Sequence, residues 1–298
     1  MKKKKKKVKS ESTSNEDDSI EEGKKNNFSK IKFLKDTPFG KLYTVIIEKD
    51  NIQEKRILKK IKIKSQEEIE EIYKEIEIVK NINTKYAIKI KDYYLQQKGN
   101  IKIMNILFDS LENQDLKSFK KEELSFDTFR EILIKICFAL KYFQLNNIIL
   151  EFFHPENIFI DKEKNVIFSG FNKTVNFINK ANNDISLYKS PEKQNEEKES
   201  IKSNMWTLGC VLFELKYNQK AFYNIKDIIN ININKKYNDN YLEDLFSKLL
   251  CEEENRITIN KLLYDIIFKS IEQNYDILFK TQDLSVYNNF IDDYLMKK

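Results

Sequence analysis

The sequence predicts an α+β protein built as two lobes, a small strand-rich lobe followed by a larger, mostly helical one. Three observations carry this. Strand-like patterns crowd the stretch from Phe28 to Phe108, interrupted there by one strong helix. Beyond Phe108 the apolar residues fall mostly at helical spacing. The chain has 298 residues, 41% of them hydrophobic, so it can bury a sizeable core in one large domain or two lobes.

The elements follow in order. Leu42 to Ile47 is rich in strand formers, and Lys49-Asp50-Asn51 reads as a turn into a second strand at Ile57 to Ile61. Ser65 with Glu68 forms a capping box, and Ile69, Ile72, Ile76 and Val79 fall on one face, so Ser65 to Asn81 is a helix. Tyr93 to Leu95 and Ile101 to Phe108 are two more strands. After Phe108 the chain is expected to turn helical, with a long apolar-faced helix from Phe126 to Leu145. Short strands are expected around Ile158 and Val166. Met205 to Leu215 is almost all apolar and reads as a buried helix. Helices are expected from there to the end.

Composition excludes several classes. Gly and Pro number 5 and 3, too few for a long disordered chain or a turn-rich sandwich. The net charge is +6, and Lys2 to Lys7 supply much of it, so the folded part has no strong basic balance for nucleic acid. No apolar run reaches the roughly 18 residues that a membrane span needs. Lys2 follows Met1 with no apolar stretch behind it, so neither a signal peptide nor N-myristoylation is expected. Cys137, Cys210 and Cys251 lack metal-ligand spacing and read as buried thiols in a reducing compartment. Lys2 to Lys7 could serve as a nuclear address or touch anionic lipid or nucleic acid; a solvated run is the favoured reading.

One stretch carries more chemistry than the rest. Leu150-Glu151-Phe152-Phe153-His154-Pro155-Glu156-Asn157 ends in a Pro-Glu-Asn run. Further on come Ser190-Pro191-Glu192, then Asn204-Met205-Trp206-Thr207-Leu208-Gly209, then Arg256. In this order they resemble the catalytic loop (H-R-D-L-K-P-E-N), the A-P-E motif, the D-x-W-S-x-G helix start and the late arginine of the protein kinase family. The resemblance runs over roughly residues 28 to 268. It implies a bilobal kinase-like fold: a tail at 1–26, a domain at 27–268 and a helical extension at 269–298. Within the domain it implies a first lobe at 27–107, a connector at 108–112 and a second lobe at 113–268. Apolar positions Ile271, Tyr275, Leu278, Phe279, Leu284 and Tyr287 in the extension are expected to dock on the same chain.

The same resemblance implies that the chemistry has been lost. Leu150 stands at the loop His, Glu151 at the Arg, and Phe152 at the Asp that would accept the substrate proton. His154 replaces the loop lysine and reads as a packed residue. Gly170-Phe171-Asn172 aligns with D-F-G, so Gly170 removes the metal carboxylate; Asp161 is a poor substitute register. Of the glycine-rich loop only Gly40 survives, with Lys35 and Thr37 at the first two glycines and Pro38 beside them. Lys59 and Glu75 align with the ion pair that holds phosphates, and here they read as a tie between helix and sheet. Ile57 and Phe159 add volume where adenine would lie, and Phe108 is a large gatekeeper. Glu192, Trp206 and Arg256 are structural positions, with a Glu192–Arg256 ion pair expected. Leu150 and Phe171 suit an apolar stack between the lobes, and Ile185 takes the place of a threonine that touches the catalytic loop.

The sequence therefore points to an inactive pseudokinase, a scaffold or allosteric module for one or more protein partners inside the cell, cytoplasmic or nuclear. No cofactor and no metal are expected. The alternative is an atypical ATP-dependent Ser/Thr phosphotransferase using Mg-ATP on Gly40, Lys59, Glu75 and Asn157, with Glu151 or Asp161 as a displaced acid. A third reading is a nucleotide-binding switch without turnover.

Overall fold

The computed structural model describes residues 28–49, 52–110, 114–119, 124–182, 184–194, 200–234 and 239–268. The tail at 1–26, Lys2 to Lys7, the turn at Asp50-Asn51 and the extension at 269–298 lie outside the described residues.

The first lobe is a five-stranded antiparallel sheet with one helix. Its elements are β1 (Phe28–Thr37), β2 (Gly40–Lys49), β3 (Ile52–Ile63), α1 (Gln66–Asn81), β4 (Ile90–Lys98) and β5 (Ile101–Phe108). The strand order is β1-β2-β3-β5-β4. Ser65 caps α1, its side chain accepting from the Glu68 amide at 3.3 Å. The Glu68 carboxylate reaches back to the Lys64 amide at 2.7 Å, one residue earlier than a standard capping box. Ile69, Ile72, Ile76 and Val79 are all buried, as the helical spacing requires.

The second lobe contains β6 (Gln114–Asp115), α2 (Phe126–Leu145), β7 (Ile158–Ile160), β8 (Val166–Phe168), α3 (Ile201–Tyr217), α4 (Ile225–Ile229), α5 (Asn240–Leu249) and α6 (Ile259–Leu263). A single π-helical turn, Tyr264–Phe268, follows α6. The expectation of helix directly after Phe108 is corrected by β6, which joins β7 and β8 in a small sheet. Two polar residues carry no strand pattern of their own; pairing with Ile160 and Phe159 makes them a strand. Phe108 likewise belongs to β5 rather than to the connector, because it still pairs with Ile57 and Ile90. Cys137 and Cys210 are buried, whereas Cys251 is only partly so, with its Sγ against the Lys248 carbonyl.

The lobes meet through backbone as well as side chains. Ile88 N donates to Phe168 O at 2.9 Å, and Phe168 N donates to Tyr86 O at 2.7 Å. The segment between α1 and β4 is thereby sewn onto β8. Beneath it, α3 forms the buried axis of the second lobe. A reciprocal Ser200–Ser203 capping box starts it, and Ser203 to Leu215 are buried on every face, mostly apolar with Asn204, Thr207 and Glu214 among them.

Two polar groups on and beside α3 organise the lobe. The Asn204 amide donates to Leu150 O and accepts from Leu150 N, both at 3.2 Å. An aspartate there could only accept; asparagine satisfies both backbone groups of one buried residue. Arg256 is buried and forks onto Glu192, with bonds of 2.6 and 3.1 Å. It also donates to Lys202 O and Cys251 O, and its guanidinium lies 5.2 Å from the Trp206 ring centre. Trp206 in turn stacks on Phe222. Burial works against ionisation of Glu192, but the Arg256 bonds and charge, together with hydrogen bonds from Ser190 and the backbone, outweigh it and hold the carboxyl below its ordinary range.

Arg256→Ala leaves Glu192 unpaired and opens a void against Trp206. It should lower the unfolding free energy by about 3–5 kcal/mol in urea denaturation; an unchanged midpoint would show that the pair does not hold the lobe together.

Candidate functional site

The cleft between the lobes contains most of the residues singled out in the sequence. Each is positioned by a short, well-defined element. The catalytic-loop positions lead into a 3-10 turn at Pro155–Asn157, which is capped by His154 and runs straight into β7. His154 Nδ1 accepts from the Glu156 amide at 3.2 Å, so its proton sits on Nε2. Its ring is buried edge-on to Tyr188, 4.5 Å between centres. Burial first, then the positive charges of Lys117, Lys220 and Lys35, press its pKa down to about 3, so it stays neutral. The Tyr188 hydroxyl donates to the Glu214 carboxylate, which also binds Lys117.

The glycine-loop positions form no loop. β1 and β2 join through the two-residue turn Pro38-Phe39, with Thr37 paired to Gly40. The Thr37 hydroxyl closes this turn, donating to Gly40 O at 2.9 Å and accepting from Phe39 N at 3.3 Å. Gly40 has φ +139° and faces the Lys60 carbonyl so closely that a Cβ would lie 2.5 Å from it. The turn then bends over the second lobe. The Phe39 ring packs edge-on to Phe152 at 5.5 Å, and Lys35 Nζ binds the Glu156 carboxylate at 3.1 Å. The side chain at the first glycine position and the one at the proton-acceptor position both contribute to closing the cleft.

Lys59 and Glu75 do not bond to each other. Lys59, fully buried, donates to Lys173 O at 2.7 Å and Asn176 O at 2.9 Å. The Glu75 carboxylate accepts from the Thr174 amide at 2.9 Å and hydroxyl at 2.5 Å, and Glu75 O accepts from Asn172 Nδ2 at 3.1 Å. The tie expected between helix and sheet therefore runs through the segment after Phe171. Burial lowers the Lys59 pKa to about 7, against the raising influence of Glu75.

Asn157 is equally committed. Its Oδ1 accepts from Phe177 N at 2.7 Å and Ser169 Oγ at 3.0 Å. Its Nδ2 donates to Phe152 O at 2.8 Å and Asn176 Oδ1 at 3.0 Å. Gly170 lies against this group with φ +83°; a Cβ would sit 2.4 Å from Phe152 O and 2.7 Å from Asn157 Nδ2. The buried Phe177 ring stands edge-on to Phe108 at 5.2 Å and to Phe159 at 5.9 Å, with Lys59 Nζ 6.0 Å from its centre. Glu151 is exposed, and Asp161 is used by the β7–β8 turn, where both oxygens accept from Asn165. Among the described residues no group of three His, Cys, Asp or Glu could hold a metal ion. None of their helices is long and apolar enough to cross a membrane.

The protein kinase domain profile matches residues 31–269 of this chain. The chain belongs to the protein kinase family. It is 26% identical over 215 residues to the serine/threonine-protein kinase nekl-2 of Caenorhabditis elegans, covering 66% of this chain and 59% of that protein. It is 26% identical over 217 residues to the mouse serine/threonine-protein kinase Nek1, covering 69% of this chain and 17% of that protein. The probable serine/threonine-protein kinase glkA of Dictyostelium discoideum is 24% identical over 198 residues, covering 64% of this chain and 40% of that protein.

Within the kinase fold, the cleft brings together the positions named from sequence: Ile57, Lys59, Phe108, Asn157, Phe159 and Gly170. Leu150 and Phe171 are both buried near it, Phe171 edge-on to Phe143. Sequence reasoning missed Phe177 and its neighbours Asn172, Thr174 and Asn176. One signal was available: Val175, Phe177 and Ile178 form an apolar run in a kinase segment that is otherwise a surface loop.

Two outcomes follow from this packing. Restoring the family's acid by Gly170→Asp forces a side chain into a left-handed backbone and against two polar atoms. It should lower stability by about 2–5 kcal/mol in urea denaturation; an unchanged midpoint would show that room exists. Between pH 7 and 10.5 the unfolded chain keeps the Lys59 proton while the folded chain releases it. Stability through this group therefore rises with pH across that window, by at most about 1.4 kcal/mol per unit. Lys59→Met should lack that rise when the two proteins are compared by thermal unfolding, and identical pH slopes would refute it.

Proposed function

We propose that this chain is a catalytically inactive pseudokinase that acts as a scaffold or allosteric module for a protein partner. The observation that carries the reading is the engagement of Lys59 and Asn157 by the chain's own Lys173–Phe177 segment. These are the cation for phosphate and the carbonyl for metal in the family pattern, and both have their bonding capacity used internally.

Three further observations weigh against a magnesium nucleotide fitting these residues, and a fourth against proton transfer. The metal carboxylate is absent at Gly170, and the backbone there leaves no space for one. Magnesium is usually held by one or two carboxylates together with phosphate oxygens, and Asn157 offers a single neutral oxygen that already accepts twice. Phe177 stands between Phe108 and Phe159, where a flat base would have to stack. Phe152, packed against Phe39, cannot accept a proton from a hydroxyl. What remains is a closed, well-packed kinase shape, whose use is to present surfaces rather than to transfer phosphate.

The test combines a thermal shift with a transfer assay on the full chain. ATP, with or without Mg²⁺, should leave the melting temperature unchanged, and radiolabelled phosphate should not reach protein substrates. A metal-dependent rise in melting temperature, or transfer abolished by Lys59→Ala, would overturn the reading.

A further inference from the structure

The residues left without a nucleotide are joined to one another by a single short piece of chain. Glu75 lies on α1, Lys59 on β3, and Asn157 on the turn that leads into β7. The Asn172–Phe177 segment bonds all three: Asn172 and Thr174 to Glu75, the carbonyls of Lys173 and Asn176 to Lys59, and the Phe177 amide to Asn157. Lys59 and Asn157 have no exposed surface and depend on the segment for these bonds, whereas Glu75 is only partly buried.

We propose that Asn172–Phe177 is a built-in ligand. It closes the two lobes in the manner of a bound molecule, and its Phe177 ring plugs an apolar site that accepts a flat, uncharged aromatic ring without metal. This rests on the inactive reading, since a site closed by the chain itself has no need of nucleotide. The geometry separates two parts. The backbone of the segment carries the polar closure. The ring carries the apolar filling: it is 2% exposed and touches Phe108 and Phe159 edge-on, the arrangement aromatic pairs prefer. Removing the ring alone leaves the polar bonds in place, with the Lys59 amine still held by its two carbonyls, and opens a hole edged by Phe108 and Phe159 that suits an aromatic guest. Removing the Lys59 ammonium leaves the ring in place and frees two carbonyls at opposite ends of the segment's middle, so the segment loosens as one unit.

The closing experiment uses the full chain. Phe177→Ala should melt on the order of 10 °C below wild type, and metal-free indole or benzene should recover several degrees in the variant and none in wild type. Equal responses of the two proteins, or no response of the variant to either probe, overturns the plug. Where Phe177→Ala does not fold, Phe177→Leu takes its place with benzene. Amide hydrogen exchange provides the second readout. In Lys59→Met the amides of Thr174, Phe177 and Ile178 should speed up together; a change at one of them alone overturns the single-unit closure. A silent variant in a protein that also ignores Mg-ATP sinks the built-in ligand and leaves the inactive reading standing. A wild-type response to Mg-ATP sinks the inactive reading itself.

Discussion

A lysine with no exposed surface must find acceptors inside the protein, and Lys59 finds them in the backbone of the segment that follows Phe171. Much of the cleft is arranged around that need. The two carbonyls accept from its amine, whose pKa burial draws down to about 7. To bring those carbonyls under β3 the segment has to turn inward. Turning inward places Thr174 on Glu75, Asn176 on Asn157, and the Phe177 ring between the lobes. Lys59 and Glu75 are thus linked without touching.

Most polar groups of the cleft satisfy one another, with Asn176 Nδ2 and Glu156 Oε1 as buried exceptions. Asn157 uses both donor hydrogens and accepts twice on Oδ1. Glu156 accepts from Lys35 across the cleft and from the Asn179 amide. An arrangement of this kind is costly to open in part, because each departing group strands its partner in a place that water does not reach. The apolar contacts act in the same direction. Phe39 meets Phe152 at the mouth and Phe177 meets Phe108 and Phe159 within, so aromatic side chains add contact between the lobes at both depths.

The helical lobe is held by a different set of interactions. Arg256 joins Glu192, the Trp206 ring and two carbonyls, and Asn204 fastens Leu150 to α3. These lie at the family's structural positions, and they retain their function in packing although the chemical positions have changed. Asn204 shows how such a change is absorbed. The exchange of a carboxylate for an amide loses a charge but gains a donor, and Leu150 supplies the carbonyl that uses it.

By itself the sequence determined the lobe order, helices at Ser65 to Asn81, Phe126 to Leu145 and Met205 to Leu215, each matched by a helix of the fold, and the absence of Asp at Phe152 and Gly170. Those features are local: apolar spacing, capping residues and residue identity at a motif position can be read along the chain. It did not give β6, whose two polar residues become a strand only beside β7, nor the partners of Lys59 and Glu75. Least of all did it give Phe177, because an apolar residue in a loop can face a partner, the solvent or the core. Only the tertiary structure decided that it turns inward. The reason is physical: a buried ammonium, a buried amide and an apolar gap between two lobes all had to be filled, and one six-residue segment was near enough to fill them together.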